Sequence, residues 1–143
     1  MTLRVGVLGA GGRMGAEACR AIAGDPTLTL AAAVDPHHAG DQAAGGVVIS
    51  AGIDALADAG VEVAVHFTLA DAARANLRWC AANGVHSVVG TSGLSDADLD
   101  ELRSLFSADA DGDGAGHGPN CLVAPNFAIG AVLMMRFAEM AAP

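Results

Sequence analysis

The sequence predicts an α/β fold, a Rossmann-like, doubly wound parallel sheet with helices on both faces. Three observations predict it. Short Val-rich apolar runs alternate with stretches whose apolar residues recur at helical spacing, which is the pattern of successive βαβ units. The first run ends in a glycine cluster, Gly9, Gly11, Gly12 and Gly15, that opens directly into a helical pattern. The second run ends at Asp35, twenty positions after Gly15.

Residues 3–8 form a short apolar run rich in Val, as a strand buried on both faces reads. After the glycines, Met14, Ala18 and Ile22 recur four apart with Cys19 and Ala21 alongside, predicting one apolar helix face that stops at Gly24 and Pro26. Residues 28–34 are the next strand, closed by Asp35-Pro36, and residues 36–52 are a Gly- and Ala-rich connection with a short strand at 47–49. Residues 55–59 read as a short helix and 61–67 as a strand. Residues 71–83 are helical, with Ala73, Leu77 and Cys80 on one face, Arg74 and Arg78 on the other, and Gly84 as the cap. Residues 85–89 are a strand. Ser95 starts the following helix with Asp98 three residues on, a capping box in which Asp stands for Glu, and Leu99, Leu102, Leu105 and Phe106 are its buried stripe. A polar loop at 108–119, a short strand at 121–124 and a last helix at 129–142 complete the chain. Parallel strands joined by right-handed crossovers bring the loops at their carboxyl ends to one edge of the sheet, where ligands bind.

A length of 143 residues suits one domain, and 52% hydrophobic content is enough for a core. The formal net charge is −9 and every cation is an arginine. Such a chain is repelled by phosphate backbones and anionic lipid, which makes nucleic acid and membrane surfaces poor partners. Without lysine it offers no Schiff base and no lysine acid. Cys19, Cys80 and Cys121 are far apart and lack metal spacing, so they read as small buried residues in a reducing cytosol. Gly9 to Gly12 interrupt the first apolar run too early for a signal peptide, and the longest apolar stretch, 127–135, is about half a membrane span. A cytoplasmic protein is expected.

The segment Gly9-Ala10-Gly11-Gly12-Arg13-Met14-Gly15 carries the clearest chemistry. Between a strand and a helix, glycines let the backbone turn tightly and approach a pyrophosphate, and the free N–H groups at the helix start face the negative charge. The spacing departs from G-x-G-x-x-G, since Met14 stands where the third glycine belongs; Gly9, Gly12 and Gly15 read as G-x-x-G-x-x-G. A carboxylate at Asp35 can accept the adenosine ribose hydroxyls and would repel the 2′-phosphate of NADP, which Arg13, His37 or His38 could offset. Asp35 can alternatively be an Asp-Pro turn former. His37 and His38 read as surface loop residues and His66 as a packed one; His86 and His117 have no partner in sequence. Asp109, Asp111, Asp113 and Gly114 imitate the start of a calcium loop, but Asn120 stands where a bidentate Glu is needed. The acidic loop at 109–114 is therefore read as mobile, and no metal is expected.

Four segments resemble the dihydrodipicolinate reductase (4-hydroxy-tetrahydrodipicolinate reductase) family of bacterial lysine and diaminopimelate synthesis. They are the glycine loop with its Met before the last Gly; His66-Phe67-Thr68, resembling Asp-Phe-Thr; Gly90-Thr91-Ser92-Gly93, resembling Gly-Thr-Thr-Gly; and Ala124-Pro125-Asn126-Phe127, followed by Ala-Ile-Gly. The resemblance implies NADH or NADPH as cofactor. Gly9, Ala10, Gly11, Gly12, Arg13 and Met14 would then wrap the pyrophosphate, and Asp35 would hold the adenosine ribose. Phe67 and Thr68 would line the path from adenine to nicotinamide. Gly90, Thr91 and Ser92 would meet the nicotinamide side and the substrate edge, and Ala124, Pro125, Asn126 and Phe127 would position the nicotinamide ring. His66 removes a carboxylate from the pattern, and Ser92 keeps the hydroxyl of a Thr.

The family's His-His and Lys-x-Asp-Ala-Pro-Ser-Gly-Thr segments have no counterpart here. Residues 1–126 are expected to be the dinucleotide-binding domain. Residues 127–143 are expected to be the hinge and first helix of a substrate and tetramerisation domain largely absent from this chain, which would be a piece of a longer protein. No catalytic residue is then expected here, and the chain alone should be inactive. The implied substrate is a small cyclic dicarboxylate, the full enzyme a homotetramer, and this chain a monomer or weak dimer. Two other readings stay open: another two-domain NAD(P)-dependent dehydrogenase, and a non-catalytic module sensing NADH.

Overall fold

The structure, a computed structural model, describes residues 2–106, 118–124, 127, 133, 134, 136–138 and 140. Strands β1 (Leu3–Leu8), β2 (Leu28–Val34), β3 (Ile49–Ser50), β4 (Val63–His66), β5 (His86–Val89) and β6 (Cys121–Val123) form one sheet. Its order is β3-β2-β1-β4-β5-β6, and every pairing is parallel. The chain runs outward from β1 through β2 to β3, then returns to the other side of β1 for β4, β5 and β6. Between β1 and β4 the winding reverses, and the loops leaving these two strands diverge into a crevice.

Helices α1 (Arg13–Gly24), α2 (Ala55–Asp58), α3 (Ala70–Ala82) and α4 (Asp96–Leu105) cover both faces. On the α1 face, Cys19 and Ile22 pack against Val5, Val7, Leu30 and Ala33. On the opposite face, Leu77, Cys80, Leu102 and Phe106 pack against Ala64 and Val89. Both faces of the central strands are covered, which accounts for continuous rather than alternating apolar runs. Two arginine pairs strap α3 to α4: Arg74 Nε to Asp98 at 2.7 Å and Arg78 Nε to Glu101 at 2.6 Å. Ser95 caps α4 and Asp98 returns the bond, completing the expected capping box. Gly84, at φ 70°, closes α3.

Three details of the reading are corrected. The buried face of α1 is Gly15, Cys19 and Ile22, while Met14 and Ala21 are exposed. The helix phase is set where Gly15 presses on Gly9, and positions four and seven residues later inherit that face. In α4, Leu102 and Phe106 are buried and Leu99 partly so, but Leu105 falls at the edge of the stripe and is exposed. The short strand is Ile49–Ser50; Val48 makes an isolated antiparallel bridge to Gln42 and is exposed.

The register positions the site. Leu8 pairs with Val34 and His66, His66 with Val89, and Val89 with Val123. Five strand ends therefore lie in one row, and hydrogen bonds continue into the next residues. Gly9 N–H donates to Val34 at 2.8 Å, Phe67 N–H to Leu8, Gly90 N–H to His66 and Ala124 N–H to Val89, each of these three at 2.9 Å. Among the described residues no helix is long and apolar enough to cross a membrane.

Candidate functional site

The glycine loop turns straight from β1 into α1. Gly9 has φ +80°, a left-handed conformation that side chains rarely adopt, and a Cβ there would run into the carbonyl of Phe67. A Cβ on Gly15 would collide with the carbonyl of Gly9. The two glycines thus let the helix start abut the strand end and the neighbouring loop. Gly12 is the N-cap; no side chain caps this helix and its first turn holds no acidic residue. The first N–H groups of a helix lack intrahelical partners and lie at the positive end of its dipole. Backbone here offers an anion a ready site, flanked by the exposed side chains of Arg13 and Met14.

Asp35 leaves the end of β2 and is buried. Its Oδ1 accepts the N–H of His37 at 3.0 Å, and its Oδ2 accepts the N–H of Gly11 at 3.0 Å, with His38 Nδ1 at 3.3 Å. Burial raises the carboxyl pKa, but the bonds from His37, His38 and Gly11 outweigh it and leave the group below its ordinary value. The bond to His37 is the expected Asp-Pro turn, and the same residue lines a cleft. That cleft has a volume of about 430 Å³ and is lined by Gly9, Gly12, Asp35, His37, Phe67 and Thr68, among others. The hydroxyl of Thr68 is buried against it without a hydrogen-bond partner. Such a group costs free energy unless something completes it.

Thr91, buried after β5, ties the neighbouring loops. Its hydroxyl accepts the N–H of Thr68 at 3.2 Å and reaches the carbonyl of His66 at 3.5 Å. Phe67 meets Phe127 edge to face, with ring centroids 5.4 Å apart. Gly9, Ala10, Gly11, Gly12, Arg13, Met14, Asp35, Phe67, Thr68, Gly90, Thr91, Ser92, Ala124 and Phe127 thus follow one strand-end row. Pro125 and Asn126 lie outside the described residues.

The other candidates lie elsewhere. His66 is fully buried, its Nε2 3.3 Å from Ser87 Oγ and 4.0 Å from Cys80 Sγ, with no partner at Nδ1. Burial pushes its pKa down to about 4, so it is a neutral packed residue at pH 7. His86 Nδ1 accepts the N–H of Asn120 at 2.9 Å, at the opposite end of the sheet. Burial raises the Cys80 and Cys121 thiols to about 11, which removes them as thiolate nucleophiles. Among the described residues there is no group of three His, Cys, Asp or Glu able to hold a metal. His117 and the acidic loop 109–114 lie outside the described residues. Sequence reasoning missed the clasp of Gly11 and His38 on Asp35 and the unpartnered hydroxyl of Thr68. The clasp had one local signal, Asp-Pro-His; the hydroxyl had none.

The arrangement suits a ligand that carries an anion: the uncapped helix start adjoins a cleft lined by Asp35, Phe67 and Thr68. Comparison with known proteins agrees in character. A family model, that of the dihydrodipicolinate reductase N-terminus, matches residues 3–127. The 4-hydroxy-tetrahydrodipicolinate reductase of Nocardia farcinica is 42% identical over 142 residues, covering 99% of this chain and 49% of that protein. That of Streptomyces coelicolor is 42% identical over 141 residues, covering 99% and 48%. Among solved structures, dipicolinate-bound dihydrodipicolinate reductase from Paenisporosarcina sp. TG-14 superposes with a TM-score of 0.77 at 31% identity, covering 99% of this chain and 54% of that one. The chain spans about half the length of the curated relatives it matches.

Proposed function

The chain belongs to the dihydrodipicolinate reductase family, whose amino-terminal part it carries, and from that premise we propose that it is the cofactor-holding part of an NAD(P)H-dependent 4-hydroxy-tetrahydrodipicolinate reductase. The observation that carries the reading is the uncapped start of α1, built by Gly9 and Gly15 beside a cleft holding Asp35 and the unpartnered hydroxyl of Thr68.

The N–H groups of the first α1 turn hold the diphosphate, and Arg13 and Met14 flank it. Asp35 accepts a ribose hydroxyl, and the Thr68 hydroxyl gains the partner it lacks. Gly90, Thr91 and Ser92 border the nicotinamide side and the substrate edge, with the nicotinamide ring positioned by residues 124–127. A reduced nicotinamide supplies hydride when bound; the protein supplies position and charge. Reduction of a cyclic, unsaturated dicarboxylate places charge on the substrate as hydride arrives, and a proton donor must meet it. This chain has no lysine, and the described histidines sit in the core, on the β2 loop or at the far end of the sheet. The donor therefore lies beyond these residues. In the full enzyme, residues 127–143 lead by a hinge into a substrate and tetramerisation domain, the assembly is a homotetramer, and the setting is the cytoplasm, in lysine and diaminopimelate synthesis.

Titrating the 143-residue chain with NADH and NADPH, following energy transfer from Trp79, should give saturable binding. The same preparation should consume no reduced nucleotide when offered the dicarboxylate. Indifference to both nucleotides removes the cofactor assignment, and measurable turnover removes the claim that the proton donor lies elsewhere.

A further inference from the structure

We propose that Thr91 is a positioning residue for the nucleotide site, and that it acts through Thr68 rather than by touching the ligand. The inference rests on the dinucleotide reading above and deepens it.

Thr68 stands just past the end of β4. Phe67 N–H still donates to Leu8, at 2.9 Å, but the next N–H, that of Thr68, leaves the ladder and donates to the hydroxyl of Thr91 at 3.2 Å. The same hydroxyl donates toward the carbonyl of His66 at 3.5 Å, a carbonyl that also accepts the N–H of Gly90 at 2.9 Å. A threonine hydroxyl has one proton and two lone pairs. Here the proton and one lone pair are committed within the protein. Thr91 is buried and does not line the cleft of Asp35 and Thr68; it borders a separate cavity with residues of β6 and α4. It therefore reaches the cleft only through the loop it holds.

What that loop presents to the cleft is the side chain of Thr68. Its hydroxyl is buried there without a partner. Its methyl group lies 3.3 Å from where a Cβ on Gly9 would stand, so the residue is seated against the turn that opens α1. A buried hydroxyl without a partner serves a ligand only where the surrounding structure holds it in place, because a loop free to turn would bring it to water or to a backbone group. Thr91 supplies the hold. Its branched side chain is stiff about χ1, so the hydroxyl follows the backbone leaving β5. The two loops are matched at successive positions: a Cβ on Gly90 would lie 2.4 Å from the Phe67 ring, and Thr91 then meets the N–H of Thr68.

The test titrates the full 143-residue chain with NADH, read by energy transfer from Trp79, with circular dichroism confirming that each variant is folded. Thr91→Val keeps the shape and removes the hydroxyl, and should weaken NADH about fivefold. Thr91→Ser keeps the hydroxyl and should recover most of that loss. In a Thr68→Val background, Thr91→Val should change the affinity by less than about twofold, because the group it positions is already gone. In the unmodified chain the Thr68 amide should be protected from hydrogen exchange, and NADH should slow it further by at least about tenfold; this measurement serves as the test if the valine variant does not fold. Undiminished binding by folded Thr91→Val overturns the inference, as do an equal loss in Thr91→Ser, additive losses in the double variant, or an unprotected Thr68 amide. Each of those results leaves the cofactor reading standing. Failure of the unmodified chain to bind either NADH or NADPH removes the cofactor reading itself, and this inference with it.

Discussion

Acidification should destabilise the fold through one side chain, His66. The ring is fully buried between β4, β5 and α3, with Ser87 Oγ at Nε2 and nothing at Nδ1. A neutral imidazole tolerates one unpartnered acceptor, but an imidazolium would bury a charge and an unsatisfied donor. Burial accordingly pushes the pKa from 6.5 down to about 4. The folded value lies below the unfolded one, so the unfolded chain binds more protons between these limits and stability falls as pH drops through the window. Above pH 6.5 the contribution is complete; below about pH 4 the loss levels off. At ~1.4 kcal/mol for each tenfold change in proton affinity, the full gap amounts to about 3 kcal/mol, and roughly 2.5 kcal/mol is lost between pH 7.5 and 4.5. Asp35, Asp98 and Glu101 have lowered values in the fold, so their contribution is lost only as pH falls below their ordinary values of 3.8 to 4.5. The window above belongs to the histidine. Urea unfolding followed by circular dichroism at pH 7.5, 6, 5 and 4.5 measures the effect, with His66→Gln as comparator. The unmodified chain should lose stability steadily while the variant stays nearly level. A flat profile for the unmodified chain, or parallel profiles for the two, would refute the reasoning.

Two further perturbations separate fold from site. Gly15→Ala drives a methyl group into the carbonyl of Gly9, which should cost about 2 kcal/mol in urea unfolding and weaken NADH binding at least tenfold by shifting the start of α1. Retention of both properties would show that the helix start does not depend on that close approach. Thr68→Val replaces a buried hydroxyl that has no partner, so stability should hold or rise by up to ~1 kcal/mol. Nucleotide affinity should fall several-fold in the same variant, and a parallel loss of stability would mean that the hydroxyl serves the fold.

Much of the architecture was legible because its causes are local. Leu3–Leu8 and Leu28–Val34 read as strands since all but one residue of each, Arg4 and Thr29, is non-polar, and the carboxyl-terminal part of each is mostly buried. The capping box of Ser95 and Asp98 spans three residues and needs only the helix it starts. The glycine loop was legible for the same reason, as a turn whose geometry admits few other residues. The phase of α1 was not. Periodicity alone favours a face containing Met14, but the contact between Gly15 and the carbonyl of Gly9 turns the helix so that Met14 faces outward. The stripe of α4 departs likewise, since Leu105 lies beyond the reach of the sheet.

The amino-acid order by itself determined the alternation of strands and helices, the placing of glycines where β1 meets α1, and a carboxylate at the end of β2. Tertiary structure alone decided the row of strand ends, the clasp of Gly11 on Asp35, the unpartnered hydroxyl beside it, and the pairing of Arg74 with Asp98 across 24 positions. Local patterns need only backbone sterics and burial within one segment. Register and clasps are settled by many simultaneous contacts between distant segments, and no one of those segments encodes them.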